Sequence, residues 1–378
     1  MRIAFVGSEG VPYHAAFAKI TEEIGCRLAA AGHQVIVYGR RRYVPDGSPY
    51  RGMLRVPLPS WNTKHLDTPT FTLLSVLHVL RRAEVDIAHI HGIGPAIWAL
   101  LPRMRRVKVV VQVHSLDWQR AKWGPLARLY LRLSERAAVR WSNAAIAVSP
   151  VIKDYLEGRY GGSVYYVPNG VEIQQAPLAR HLHEVGLEPG KYLLFMGRLV
   201  PEKGCHHLIE AVRRIRPALP LVMAGGESHS EEYARALRQM ADSQVRFLGY
   251  VTGRLKEELL GNAYIYVQPS DLEGMSLALL EAMAYGRCIL ASDIAENMVV
   301  VRDSAATFRA GDVEDLAHQL ANLLGQPQLV RELGERAEVL AASHYGWDTV
   351  TRQVEDIYRR LVQPEQALEA TSKESQLP

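Results

Sequence analysis

Residues 269–293 read PSDLEGMSLALLEAMAYGRCILASD. The run just before them, AYIYVQ, has the make-up of a buried strand, and so does RCILAS near their end. Between the two lie a loop carrying Glu273 and Gly274 and a Leu/Ala-rich stretch of helical character carrying Glu281. This is one βαβ unit, and open sheets built from such units bind ligands beyond the carboxyl ends of their strands. Glutamates in a loop and on a helix are also commonly solvated, so this stretch alone leaves that alternative open.

Working outward, the same alternation covers most of the chain. RIAFVG, QVIVYG, VDIAHIH, VKVVVQVH and NAAIAVS are strand candidates, with helical patterns over 16–31, 69–82 and 125–141. Continuously apolar strands separated by helices predict parallel sheets covered on both faces. After SVYYVPNGVE the alternation starts afresh with KYLLFMGR, PLVMAGG, VRFLGY, AYIYVQPS and RCILAS, so the Pro168-Asn169-Gly170 turn marks the best boundary. The expected class is α/β, with two doubly wound domains over residues 1–168 and 169–345 and a ligand cleft between them. Helical pattern returns over 312–342. A last helix, 346–363, carries Val350, Val354, Ile357, Tyr358 and Leu361 on one face, and the polar residues 364–378 read as a flexible tail.

Composition narrows the classes. The 378 residues are 48% hydrophobic and 22% charged, as expected of a globular chain. Cys26, Cys205 and Cys288 stand far apart with no CxxC, which reads as reduced thiols and not as a disulfide frame or zinc site. MRIAFVGSEG is a strand entering a glycine turn, not a secretory leader, and no apolar run approaches the roughly 20 residues that span a bilayer. The expected location is cytoplasmic.

The net charge of +4 divides unevenly. Residues 1–168 carry 23 Lys and Arg against 11 Asp and Glu, while the remainder carries 21 against 29. Basic residues gather at Arg40 to Arg42, at Arg103 to Lys108, and at Arg128, Arg132, Arg136 and Arg140. The last four recur along one helical face, which suits an anionic membrane surface and equally suits plain solvation. No nucleic-acid motif accompanies the charge.

Four places carry chemistry. In GRLVPEKG, Gly197 to Gly204, Arg198 and Lys203 flank a helix start whose dipole favours an anion such as a diphosphate. It is not a Walker A loop, and an ordinary basic turn fits the same residues. Glu273 and Glu281 suit sugar or ribose hydroxyls, because a buried carboxylate rejects an analogue that leaves it unpaired. His114, at the end of VKVVVQVH, is placed to donate to a substrate hydroxyl or to serve as a satisfied core histidine. The loop GSEGVP, from Gly7, offers backbone amides but lacks GxGxxG. No Asp-x-Asp pair occurs, so no metal is expected and charge neutralisation would fall to Arg198, Lys203 and a helix dipole; no cofactor is expected either.

GRLVPEKG, the spacing of Glu273 and Glu281 within EGMSLALLEAMAYG, the VPNGV turn and AAAGHQV together resemble family 4 glycosyltransferases. The resemblance runs from Met1 to about Val362. TKHLDT, HIHGIGPA and HSLDWQRAKWG resemble bacterial members acting on cell-surface polysaccharides or glycolipids. It implies a GT-B fold of two Rossmann-like domains and transfer of a sugar from a nucleotide-sugar donor to a glycan or lipid-linked acceptor, with retention and without metal. It implies that Arg198 and Lys203 hold the donor diphosphate, Glu281 the ribose, and Glu273 with the amides of Gly274 and Met275 the sugar. His114 would lie near that sugar, the backbone at Gly249 and Tyr250 near the base, and the last helix across the first domain. Such relatives carry a Gly-Gly-Phe-Glu run where this chain has Ala15-Ala16-Phe17-Ala18. A degenerate homologue that binds without turnover and, further off, a sugar-nucleotide epimerase are the alternatives.

Overall fold

In the computed structural model the apolar runs become strands of two parallel sheets, each in its own compact unit. The structure describes residues 1–363 except 64, 82, 83, 121, 228 and 229, and the tail expected over 364–378 lies outside the described residues. One unit comprises Met1–Asn169 and the helix that begins at Trp347, and the other comprises Gly170–Gly346.

The first unit runs β1 (Arg2–Val6), α1 (Ala16–Ala30), β2 (Gln34–Arg40), β3 (Leu54–Leu58), α2 (Asp67–Arg81) and β4 (Ile87–His91). It continues with α3 (Leu100–Met104), β5 (Lys108–Val113), α4 (Pro125–Arg140), β6 (Ala144–Ala147), α5 (Pro150–Tyr160) and β7 (Val164–Tyr166). The strand order is β3-β2-β1-β4-β5-β6-β7, all parallel, so the direction of winding reverses between β1 and β4. β3 is absent from the sequence expectation because LRVPL is half-exposed and holds Arg55 and Pro57. A proline that cannot donate to a ladder is tolerated on such an edge strand.

The second unit runs β8 (Leu193–Met196), α6 (Cys205–Ile215), β9 (Leu221–Ala224), α7 (Glu231–Met240), β10 (Val245–Gly249), α8 (Gly253–Gly261) and β11 (Ile265–Gln268). Then come α9 (Leu277–Ala284), β12 (Cys288–Ser292), α10 (Ala295–Val301), β13 (Ala306–Phe308), α11 (Val313–Leu324) and α12 (Pro327–His344). The order β10-β9-β8-β11-β12-β13 reverses between β8 and β11. The helical pattern over 312–342 proves to be two helices: Asp312 caps the first by accepting from Asp315 N at 3.0 Å, and Pro327 begins the second.

The last helix, α13 (Trp347–Val362), belongs to the first unit and buries Val350, Val354, Ile357 and Tyr358. Burying side chains of that size is worth about 1.5–3 kcal/mol each. Its Tyr358 hydroxyl reaches His89 Nδ1 on β4 at 2.5 Å, and Glu355 reaches His33 Nε2 at 2.9 Å.

Candidate active site

The loops after β8 and β11 meet at the reversal point of the second sheet. Gly204, at φ +63°, lies so close to the second loop that a Cβ there would stand 1.9 Å from the Pro269 carbonyl oxygen. The Glu202 carbonyl accepts from the amides of Asp271 at 3.0 Å and Leu272 at 3.3 Å. Two motifs some 70 residues apart in sequence are therefore one hydrogen-bonded structure. The ammonium of Lys203 donates to Glu273 Oε1, which also accepts from Ser270 Oγ at 2.7 Å and from Gln268 Nε2. Beneath them the buried Tyr266 hydroxyl donates to Gln268 Oε1 at 2.8 Å. Burial raises that phenol well above its usual value, and the nearby charges of Glu273 and Glu281 add to the effect.

Glu281 sits on α9, where Lys256 of α8 donates to its Oε1 at 2.6 Å. Its Oε2 is buried without a hydrogen-bond partner among the described residues. A buried acceptor left unpaired costs about 1–3 kcal/mol, which a ligand hydroxyl would recover. Gly274 and Met275 are buried between Glu273 and the α9 cap, where Ser276 Oγ accepts from Leu279 N at 3.3 Å. Arg198 stands after Gly197, the first residue beyond β8, and is half-buried. Gly249, at φ +68°, ends β10, and its carbonyl accepts from Gly225 N at 2.7 Å; the exposed Tyr250 ring packs beside Gly226. At the start of α6 the amide of His206 reaches the Tyr233 hydroxyl and that of His207 reaches the Gly204 carbonyl. An anion there meets the helix dipole and flanking cations more than open amides.

The remaining two expected residues lie in the first unit. Gly7, at φ +98°, follows β1, where a Cβ would stand 2.7 Å from the His91 carbonyl oxygen. His114 follows β5, and its Nε2 lies 3.1 Å from His91 Nδ1 on β4, with the Phe17 ring 4.5 Å away. Two residues back on each strand, His89 Nε2 contacts Gln112 Oε1 at 3.1 Å. Alternate residues of adjacent strands share a face, so these side chains form one buried polar ladder. Burial pushes His89 and His114 down to about 3, and it holds His91 well below the ordinary value, with His89 and His114 adding to the effect. The ladder is neutral at ordinary pH, and His114 there is a hydrogen-bonding group, not a cationic acid.

Gly7 and His91 line a cavity of about 750 Å³ that His114 does not reach. Glu9, Phe17, Arg40 and Arg120 also line it. Arg40 is no surface cation: its side chain is buried, and its Nε pairs with Asp67 at 3.0 Å. Arg42 grips the same carboxylate in a fork. Sequence reading missed Glu9, His91, Gln268, Ser270 and Lys256. The signal for His91 was present, since VDIAHIH ends its strand as VKVVVQVH does.

The Glycosyltransferase Family 4 model matches residues 18–175, and the model for Glycosyl transferases group 1 matches residues 183–339. An alpha-maltose-1-phosphate synthase of Mycolicibacterium smegmatis is 28% identical, over 77% of this chain and 83% of that relative. A phosphatidyl-myo-inositol mannosyltransferase of Propionibacterium freudenreichii is 27% identical, over 75% and 73%. Among solved structures, sucrose-phosphate synthase from Thermosynechococcus elongatus superposes with a TM-score of 0.81 at 20% identity, over 95% of this chain and 98% of that one. Anabaena HepE, in complex with UDP and glucose, gives 0.77 at 17% identity, over 94% and 99%. The chain belongs to the glycosyltransferases of the family 4 type and has their GT-B fold.

Proposed function

We propose that the protein moves a sugar from a nucleotide-sugar donor to a glycan or lipid-linked acceptor, with retention of configuration and without a divalent metal ion. The observation that carries this reading is the β8/β11 reversal point, where the Lys203 ammonium donates to Glu273 and Glu281 keeps a buried oxygen unpartnered among the described residues. Arg198, Lys203 and the α6 dipole would meet the diphosphate, and the charge growing on the leaving oxygen is what such groups stabilise. Glu281 Oε2 would accept a ribose hydroxyl. Glu273, with the amides of Gly274 and Met275, would orient the sugar, and the backbone at Gly249 and Tyr250 would border the base. Retention by front-face attack fits this layout: the acceptor oxygen bonds to the anomeric carbon as the diphosphate leaves, and that diphosphate takes the acceptor's proton. The sequence offers no Asp-x-Asp pair, so the charge falls to Arg198 and Lys203.

HepE binds UDP and UDP-glucose, which makes uridine nucleotides the first to try. Among the described residues no helix is long and apolar enough to cross a membrane. The exposed side of α4 nevertheless carries Arg128, Arg132 and Arg136 beside Leu126, Leu129 and Leu133, with Leu126 85% exposed. We propose that this face rests on an anionic leaflet from the cytoplasmic side, and one named relative acts on a phosphatidylinositol. The test is a melting-temperature panel of UDP, GDP, ADP and their sugars, with and without EDTA. A nucleotide at one hundred times its Kd stabilises by about 2.7 kcal/mol. A shift that survives EDTA, followed by nucleoside diphosphate release when acceptor is added, is expected. Binding without release would favour the degenerate homologue, and a shift lost with EDTA would remove the metal-free reading.

A further inference from the structure

Helix α4 buries Leu131, Ser134, Glu135 and Ala138 at helical spacing, so periodicity places Glu135 among residues that face the core. Its side chain is fully buried, and among the described residues it forms no ion pair. A carboxylate taken out of water without a cation is costly unless neutral donors surround it. Three do. The Tyr155 and Tyr160 hydroxyls of α5 donate to Oε1 at 3.1 and 2.8 Å, and Trp118 Nε1 donates to Oε2 at 2.9 Å. Burial, and after it the Glu135 charge, pushes the Tyr155 phenol up to about 12, so it stays a donor.

The two oxygens face different parts of the fold. Oε1 holds α5 to α4, whereas Oε2 holds the turn after β5. That turn is bonded within itself. Ser115 Oγ donates to Asp117 Oδ1 at 2.9 Å, and Arg120 donates to Ser115 Oγ at 2.9 Å and pairs with Asp117 at 3.2 Å. The Gln119 amide closes it on the Leu116 carbonyl at 3.0 Å. Among the described residues, the bond from Trp118 to Glu135 is the one hydrogen bond from 115–120 to another element. The Arg132 guanidinium, also on α4, lies 4.5 Å over the same indole ring. A turn braced inside and held outside at one point moves as a body when that point is released. His114 directly precedes it, and its Asp117 and Arg120 line the cavity.

We infer that Glu135 is a positioning residue for the transfer step, holding through Trp118 the turn that sets His114 and the Asp117–Arg120 pair at the strand ends. That turnover depends on it rests on the transferase reading above; the hold on the turn does not. The chemistry of the three donors predicts which replacement is tolerated. An indole N–H only donates, whereas a tyrosine hydroxyl also accepts. Glu135→Gln must therefore turn its amide oxygen to Trp118 and its NH2 to the tyrosines, which preserves the hold. Glu135→Leu fills similar space without an acceptor.

The test reads nucleoside diphosphate release from UDP-glucose, GDP-mannose and ADP-glucose in the full chain, with hydrogen exchange over 115–120 and UDP affinity in parallel. Trp118→Phe keeps a ring under Arg132 and deletes the donor. It and Glu135→Leu should each lower kcat about 10- to 100-fold, the range of a small misplacement near the reacting groups. UDP affinity and the KM for the sugar nucleotide should not change. The double variant should be no slower than either single one, and exchange over 115–120 should rise in all three. Glu135→Gln should keep most of the parent rate, and so should Tyr155→Phe, which leaves Tyr160 on Oε1. Normal kcat in Trp118→Phe would overturn the inference. An equal loss of rate in Tyr155→Phe would overturn it too, because the carboxylate would then act on the whole fold and not on the turn. If the unmodified protein releases no nucleoside diphosphate from any donor, the transferase reading fails, and exchange over 115–120 alone decides whether Glu135 holds the turn.

Discussion

Behind the loops of β1 and β4 stand His89, His91, Gln112 and His114; behind those of β8 and β11 stand Lys203, Glu273, Lys256 and Glu281. Both groups occupy the place where a parallel sheet reverses its winding, so topology is common to the two. The chemistry differs. The first set is neutral, because burial without a charged partner suppresses the protonated imidazole. The second is ionic, with each carboxylate facing a lysine. A preformed ionic site suits a ligand that is itself charged, since the ligand can replace one partner of a pair. A neutral ladder suits hydroxyls. The same fold thus has two reversal points, and the side chains at a few strand ends give each its own chemistry.

Breaking the ionic set should have the largest effect. Lys203→Ala removes the cation and leaves Glu273 buried with its charge uncompensated. Turnover should fall by about 10²–10³, as for removal of one stabilising donor. Stability should fall by about 3 kcal/mol, as when one partner of a buried pair is lost. Glu273→Gln in the same chain should restore stability without restoring rate. Urea unfolding alongside nucleoside diphosphate release reads both. Normal turnover in the single variant would remove Lys203 from the site.

The neutral set predicts acid sensitivity. His89 and His114 hold values of about 3 against 6.5 for a free imidazole, so below pH 6.5 the unfolded chain binds protons that the folded one refuses. Stability is therefore full above about pH 6.5 and is lost as the pH falls toward 3. The slope is at most about 1.4 kcal/mol per pH unit for each histidine. Urea midpoints at pH 7.5, 6.0 and 5.0 should decline, and His114→Gln should flatten the decline. A flat profile in the parent protein would mean that the ladder protonates without cost.

Glu281→Ala probes a smaller contribution. It deletes the unpartnered Oε2 and frees Lys256, so, on the proposed reading, a nucleotide would lose one hydroxyl acceptor. Affinity should weaken about 10- to 100-fold, in the range of one hydrogen-bonding group to a ligand hydroxyl. Calorimetry with the nucleotide that shifts the melting temperature measures it, and deoxyribose nucleotides should lose the difference between parent and variant. Equal affinities would move the ribose elsewhere.

Much of this contrast is legible in the amino-acid sequence. Strand runs and the break at Pro168-Asn169-Gly170 announce themselves by pattern, because periodicity and glycine placement are local, whereas Glu273 and Glu281 are singled out by their resemblance to a family motif. Their partners are not legible there. Lys256 meets Glu281 across two helices, and Gln268 and Ser270 reach Glu273 only once the loop folds back over its own strand. His91 is hidden for another reason: two strands end in histidine, and sequence alone does not say which ring borders the cavity and which stands behind it. The basic cluster at Arg40 to Arg42 misleads in the same way, since Asp67 neutralises two of its members from another element.

The Ala15-Ala16 departure gives the finest test of the comparison. Glycines in that loop would matter if the backbone needed left-handed angles or close approach to a phosphate. Here Ala15 lies at φ −122° and ψ 155°, ordinary extended backbone, and Ala16 begins α1. Neither position calls for glycine. Restoring it with Ala16→Gly should therefore only loosen the helix start, by about 0.5–1 kcal/mol or less. Melting temperature should drop slightly, with nucleoside diphosphate release unchanged. A gain in turnover would show that the first unit does approach an anion, and the neutral character assigned to its pocket would have to be given up.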